Sequence, residues 1–156
     1  MDTLSAQQAI ASNKAAWNES AEHHKASAHW QSLLAAVGER GFNCLDPTLT
    51  SLLQQVGIKG RDAVQLGCNN GRESLSLYGL GANSVVGIDQ SDAFLAQAAE
   101  LASRSPHSPE FIEADIHHLP EHLQGRFDLA LITIGVLNWM PDIVLFMRHV
   151  ASPLKE

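Results

Sequence analysis

The sequence predicts an α/β fold with a doubly wound, mostly parallel β-sheet and helices on both faces. Two observations predict it. Short apolar runs alternate with amphipathic helical segments from about residue 47 onward, and the first of these runs ends in a glycine turn that opens a helix. Strands that alternate with helices favour right-handed crossovers and therefore a parallel sheet. Residues 4–37 lack proline and glycine and predict one or two additional N-terminal helices.

The glycine turn lies in the stretch 63–71, which reads Ala-Val-Gln-Leu-Gly-Cys-Asn-Asn-Gly. The apolar run Ala63–Leu66 predicts a buried strand, and helical spacing follows Gly71. Gly67 and Gly71 have no side chain, so the backbone can turn sharply and approach a ligand closely. A strand, a glycine turn and a helix form the first half of a nucleotide-binding βαβ unit.

The second predicted strand, Ser84–Asp89, ends in an acid that lies 18 residues after Gly71. An acid at this place and spacing is positioned to accept hydrogen bonds from ribose hydroxyls. The alternative is that Asp89 caps the next helical segment, which begins near Asp92.

Four motifs in order resemble those of class I S-adenosylmethionine (SAM)-dependent methyltransferases. Gln65–Gly71 resembles the first motif, Val85–Asp89 the second, Phe111–Ile116 the third and Phe127–Gly135 the fourth. The resemblance spans about residues 60–156. It implies a Rossmann-like core with strand order 3-2-1-4, SAM as cofactor, and S-adenosylhomocysteine as the product derived from it.

The resemblance also implies a cofactor site at the carboxyl ends of the strands, where open parallel sheets bind ligands. Asp115 is expected beside the adenine amino group. Two positions depart from the family pattern, since Gln65 replaces an acid and Asn69 replaces a glycine. The predicted cofactor-binding residues are Gln65, Gly67, Cys68, Asn69, Gly71, Asp89, Gln90, Asp115, Ile116, Ile134 and Gly135.

Four residues are candidates for the acceptor side. Trp17 and His24 lie on one face of the N-terminal helical segment, which in similar bacterial methyltransferases covers the cofactor cleft. Asn138 and Trp139 follow the fourth strand. The alternatives are a core anchor for Trp17, a solvated side chain for His24 and a packed loop residue for Trp139. No catalytic residue stands out.

We predict an N-terminal helical cap over residues 1–58 and a SAM-binding core over residues 59–156. The family's fifth strand would begin where this sequence ends, so the core is expected to be incomplete on its C-terminal side. The fourth strand, 129–134, is then an open edge that a second copy or a partner chain could cover. The helix after Pro141 is expected to pack through Ile143, Val144, Met147 and Val150.

The composition of the chain indicates which kinds of partner and which cellular compartment to expect. The net charge is −7 and the ten basic residues are scattered, which argues against nucleic acid and favours a small-molecule acceptor. No apolar run approaches the roughly 20 residues of a membrane span, and two cysteines with no secretion signal indicate the cytoplasm. His117, His118 and His122 lack metal-ligand spacing and are interpreted as solvated loop residues.

Three functions compete. The leading hypothesis is a SAM-dependent methyltransferase or its cofactor-binding part. A nicotinamide-dependent dehydrogenase is disfavoured by the Gly-x-x-x-Gly spacing. The third is a non-catalytic SAM-fold module, or one part of a split enzyme, that acts through its open sheet edge.

Overall fold

A computed structural model describes residues 3–133 and 135–156. Its sheet has four parallel strands, β1 (Asp62–Leu66), β2 (Ser84–Asp89), β3 (Glu110–Glu113) and β4 (Leu129–Leu131). Their order across the sheet is β3-β2-β1-β4. The predicted fold class and strand order are therefore confirmed.

Helices surround the sheet. They are α1 (Thr3–Lys25), α2 (Ala28–Ala36), α3 (Pro47–Gln55), α4 (Arg72–Gly79), α5 (Asp92–Arg104) and α6 (Ile143–Ala151). Helices α4 and α5 connect β1 to β2 and β2 to β3, whereas the connection from β3 to β4 contains two 3₁₀ turns. Single 3₁₀ turns span Ile116–His118, Glu121–Leu123 and Val136–Trp139. No described helix combines the length and the apolar character needed to cross a membrane.

The central strand β1 is apolar on both faces because both faces are covered. Val64 and Leu66 pack in one cluster with Phe127 and Phe146. Ala63 packs on the opposite face in a second cluster with Leu77. This double burial explains why the strand reads as an almost continuous apolar run.

The N-terminal helices share a core with the rest of the fold. Trp30 and Leu33 of α2 pack against Leu75 of α4 and Leu101 of α5. In α1, the Ala21 carbonyl accepts a hydrogen bond of 2.6 Å from Gln97 Nε2. The division into units 1–58 and 59–156 stays a prediction.

Strand β4 is shorter than expected, because it pairs with β1 only over Leu129–Leu131. The C-terminal segment runs parallel to the chain just before this strand and pairs with Phe127. Phe127 N donates to Pro153 O, and Lys155 N donates to Phe127 O, both at 2.9 Å. Strand β4 is the edge strand of the sheet, as expected, and this pairing lies outside it.

Helix α6 packs through a different face from the one expected. Phe146 and Val150 are buried, whereas Ile143, Val144 and Met147 are exposed. The segment Ile-Val-Leu-Phe-Met is apolar around the whole helix, so periodicity could not identify the inward face. Only Val150 of the predicted contact residues faces the core.

Candidate functional site

The carboxyl ends of the strands surround a cavity of about 260 Å³. The loop after β1, the ends of β2 and β3, and the loop after β4 form its walls, and α1 covers one side. Most predicted site residues line it: Trp17, His24, Gly67, Cys68, Asn69, Asp89, Gln90, Asp115, Ile116, Gly135 and Trp139. Gln65, Gly71 and Asn138 do not line it, and Ile134 lies outside the described residues.

The loop after β1 is fixed by its backbone. Gly67 N and Cys68 N both donate to the Ile88 carbonyl, at 2.8 and 2.9 Å. Gly67 has φ +74°, and a Cβ there would lie 2.8 Å from Cγ2 of Val136. Asn69 has φ +51°, and asparagine tolerates the left-handed region better than most residues. Asn69 can therefore stand where the family usually has glycine.

Asp89 joins this loop to the end of β2. Its Oδ2 accepts from Asn69 N at 2.7 Å, and its Oδ1 accepts from Ser91 N at 2.9 Å. Burial raises the pKa of the Asp89 carboxyl above its ordinary value, although these backbone N–H groups and that of Gln90 oppose the shift. The cap of α5 is Ser91, whose hydroxyl accepts from Phe94 N, so Asp89 does not serve as that cap.

The Asp115 carboxylate, which follows β3, contacts the rings of two histidines. Its Oδ1 accepts from His117 N at 3.0 Å and lies 2.9 Å from His117 Nδ1, while its Oδ2 lies 3.0 Å from His118 Nδ1. Burial disfavours the charge of Asp115, but the hydrogen bonds from the His117 backbone and from both rings hold its pKa below the ordinary value.

His117 was expected in solvent and is instead buried beside Phe146. The reason is the 3₁₀ turn that Asp115 caps, which directs His117 inward and leaves His118 outside. Within the described ranges 3–133 and 135–156, no group of three or more His, Cys, Asp or Glu residues has the arrangement of a metal site.

Sequence reasoning missed two charged residues of the cavity, Arg72 and Glu73. Both lie in the first turn of α4, directly after the glycine loop. Gln65, which is fully buried at the end of β1, donates from Nε2 to Glu73 Oε2 at 2.7 Å. Ser74 Oγ in turn donates to Gln65 Oε1. Their position after the glycine loop was the available signal.

Helix α1 closes the remaining side through contacts with Trp139. Asn13 Nδ2 donates to the Trp139 carbonyl at 3.0 Å. The rings of Trp17 and Trp139 meet edge to face, with 5.1 Å between centroids. Trp17 also contacts the buried Phe94 at 6.1 Å, so it lines the cavity and packs on the core at the same time.

A fold with a glycine loop, an acid at the end of β2 and a cavity at the strand ends is typical of nucleotide-dependent transferases and dehydrogenases. The sequence profile of the methyltransferase domain family matches residues 63–156, more than half of the chain. The chain belongs to this family. The predicted family is confirmed, and the dehydrogenase alternative is wrong.

Individual relatives and solved structures agree with this class. A tRNA U34 carboxymethyltransferase of Pseudomonas aeruginosa is 35% identical over 83 residues, which are 53% of this chain and 25% of the relative. Two solved methyltransferases share the fold. The one from Methanococcus maripaludis has a TM-score of 0.66 at 17% identity and covers 92% of this chain and 59% of its own. The magnesium protoporphyrin IX methyltransferase of Synechocystis with bound SAM has a TM-score of 0.59 at 22% identity. The match covers 81% of this chain and 54% of that one.

The expectation of a small-molecule acceptor and no nucleic acid is contradicted by the relatives, which are named for their action on tRNA. Net charge was the basis of that expectation. The matched regions span only about a quarter to a third of these relatives' length. The charge of this part therefore gives no information about the rest of such a protein, where phosphate contacts can lie.

Proposed function

We propose that this chain is the cofactor-binding part of a SAM-dependent transferase whose acceptor is a base in RNA. The observation that carries the cofactor proposal is the row of carboxylates along the strand ends, with Asp115 after β3 and Asp89 after β2. The names of the relatives support the RNA acceptor.

The side chains of the cavity suit a nucleoside. A carboxylate has about four lone-pair positions, and the backbone N–H groups that Asp89 accepts leave it capacity for ribose hydroxyls. Among the described residues, Oδ2 of Asp115 has one hydrogen-bond partner, His118 Nδ1, and it keeps a position for an adenine amino group. At Gly67 the absence of a side chain keeps the loop open, because a Cβ would meet Val136. The residues present therefore fit SAM.

SAM, when bound, supplies a methyl group on a sulfonium that is already activated by its positive charge. The contribution of the protein is then mainly orientation, which can supply several kcal/mol of barrier reduction. The fixed loop 67–71 and the carboxylates of Asp89 and Asp115 hold the donor in one position. Trp139, which is 40% exposed at the cavity, offers an aromatic face on which a base can stack.

Calorimetric titration of the chain with SAM and with NAD tests the cofactor. We expect saturable binding of SAM and none of NAD. Binding of NAD but not SAM, or of neither, would contradict the proposal.

Incubation with SAM and bulk tRNA, followed by mass spectrometry of the nucleosides, tests the acceptor. The relatives are named for carboxymethyl transfer, and mass distinguishes an added methyl from an added carboxymethyl group. A product that requires Asp89 supports the proposal. SAM binding with no modified nucleoside, from this chain or from the longest natural protein that contains it, would favour the non-catalytic module.

A further inference from the structure

The cavity has a second group of charged side chains that the nucleoside does not use. Among the described residues, four charged side chains line it: Asp89, Asp115, Arg72 and Glu73. The proposed function assigns the first two to ribose and adenine. Arg72 and Glu73 stand next to each other in the first turn of α4 and carry opposite charges.

The sheet order fixes where these groups lie along the cavity. Asp115 follows β3 and Asp89 ends β2. Glu73 is hydrogen-bonded to Gln65, which belongs to the next strand, β1. Since the order is β3-β2-β1-β4, the three carboxylates follow one another along one edge of the sheet. A ligand whose nucleoside lies over β3 and β2 extends toward Glu73.

Glu73 is held in place before any ligand arrives. Its side chain is only 22% exposed. The Gln65 amide that donates to it is fully buried and is itself fixed by the Ser74 hydroxyl. A buried amide anchored on both sides positions the carboxylate, and preorganised charges lose little on binding.

Arg72 lies on the more open side of the pair, with 36% of its side chain exposed. Its Nη1 is 3.0 Å from His29 Nε2, while its Nη2 is 3.8 Å from Glu73 Oε1. The second distance is too long for a hydrogen bond. The guanidinium therefore keeps donors for a planar anion such as a carboxylate, which arginine binds with two parallel bonds.

We propose that Glu73 and Arg72 form the binding site for the amino-acid end of the donor, with Glu73 accepting from its α-ammonium group and Arg72 donating to its α-carboxylate. The inference rests on the proposed binding of SAM. Gln65 is neutral where the family motif has an acid. In this chain the carboxylate near the end of β1 is that of Glu73, which belongs to α4 and not to the strand.

Four nucleosides test the pair by calorimetry on the full chain. S-adenosylhomocysteine and 5′-methylthioadenosine both have a neutral sulfur, and only the former has the amino-acid end. SAM and decarboxylated SAM both have a sulfonium, and only the former has the carboxylate. Each comparison therefore isolates one part of the ligand.

We expect Glu73→Gln to weaken S-adenosylhomocysteine about 10- to 100-fold, as for loss of a charged hydrogen bond, and to leave methylthioadenosine unchanged. Arg72→Gln should weaken SAM and leave decarboxylated SAM unchanged. Glu110→Gln and Arg126→Gln are matched controls, because this ion pair lies at the opposite end of β3.

Equal loss for both members of a ligand pair would overturn the proposal, since the residue would then shape the cavity without contacting the amino-acid end. Unchanged affinity for S-adenosylhomocysteine in Glu73→Gln would overturn it as well. If the parent chain binds none of the four nucleosides, the proposed function itself has failed, which is a different result. Circular dichroism and thermal unfolding identify any variant that does not fold.

Discussion

The two sides of the cavity are built differently. The first, the β1–β2 side, consists of residues 67–71 and 89–92. The second, the β4 side, consists of residues 132–133 and 135–140, together with the start of α6 that follows them. On the β1–β2 side, backbone N–H groups donate to Ile88 O and Asp89 at 2.7–2.9 Å. On the β4 side, the hydrogen bonds that Val136 N, Asn138 N and Met140 N donate to backbone carbonyls are 3.3–3.4 Å long, which is long for N–H···O bonds.

The sides also differ in what covers them. The β1–β2 side is enclosed by α4 and α5, whose inward residues Leu75 and Phe94 are fully buried. The β4 side exposes several large apolar side chains: Leu137, Trp139, Ile143, Val144, Leu145 and Met147. Helix α1 contacts this side through Asn13 and Trp17. The β1–β2 side is therefore the more tightly bonded and the more fully buried of the two.

Replacing Gly67 with valine should give the largest effect, because it attacks the fixed side at its tightest point. The residue has φ +74° and its Cβ would meet Val136, so strain of about 1–3 kcal/mol adds to a steric overlap. We expect loss of detectable SAM binding by calorimetry and a lower melting temperature. Gly135→Ala on the β4 side is the control, since a Cβ there meets nothing within 4 Å although its φ is also positive. If both changes reduced SAM affinity and melting temperature equally, the proposed difference between the two sides of the cavity would be wrong.

Asp89→Ala should weaken SAM strongly, because each hydrogen bond to a charged acceptor contributes about 1.5–3 kcal/mol. The comparison variant is Asp142→Ala, which removes the cap of α6 on the β4 side, where Asp142 Oδ1 accepts from Leu145 N at 2.9 Å. That change should cost about 1 kcal/mol of folding stability and leave SAM affinity unchanged. Calorimetry and thermal unfolding measure both quantities. Parent-like SAM affinity in Asp89→Ala would show that the acid does not contact the donor.

Acidification should weaken SAM binding through Asp89. Its pKa in the free protein is raised above 3.8, and protonation converts an acceptor into a donor, so affinity is highest above that raised pKa and falls as the pH drops through it. The loss of affinity at low pH is not caused by unfolding of the protein on protonation of Asp89. Because its folded-state pKa exceeds the unfolded value, this carboxyl makes the fold less stable above the window between the two values, not below it. Asp89→Asn should abolish this pH dependence, and a persistent slope in titrations of that variant would assign it elsewhere.

The smallest effect is expected on the exposed face of α6. Val144 is 63% exposed, so Val144→Lys should change the free energy of unfolding by no more than about 0.5 kcal/mol. Val150→Lys, on the buried face of the same helix, places an unpaired charge in the core and should lower the melting temperature sharply. A melting temperature lowered as sharply by Val144→Lys as by Val150→Lys would mean that the exposed face of α6 is packed in solution, and no loss in either variant would contradict the burial of Val150.

The sequence by itself determined the elements that depend on near neighbours. Strand β2 has the predicted bounds, and α3 begins at Pro47, where the helical segments were predicted to begin. Periodicity, caps and glycine turns act within a few residues, so they can be recognised without knowing the rest of the fold. The loop 67–71 and the acid Asp89 could also be predicted to lie close together, because parallel strands bring their carboxyl ends to one edge of the sheet.

Only the tertiary structure decided which charges enter that cavity. Gln65 was expected there from its place in the motif, yet its amide is buried and Glu73, eight residues later, lines the wall. The turn capped by Asp115 directs His117 inward, but the side chain that packs against its ring is Phe146, which is far away in sequence. The inward face of α6 was likewise undetermined by an all-apolar segment. In each case the direction of a side chain depends on groups that are distant in sequence and meet only when the chain folds, and no local pattern contains that information.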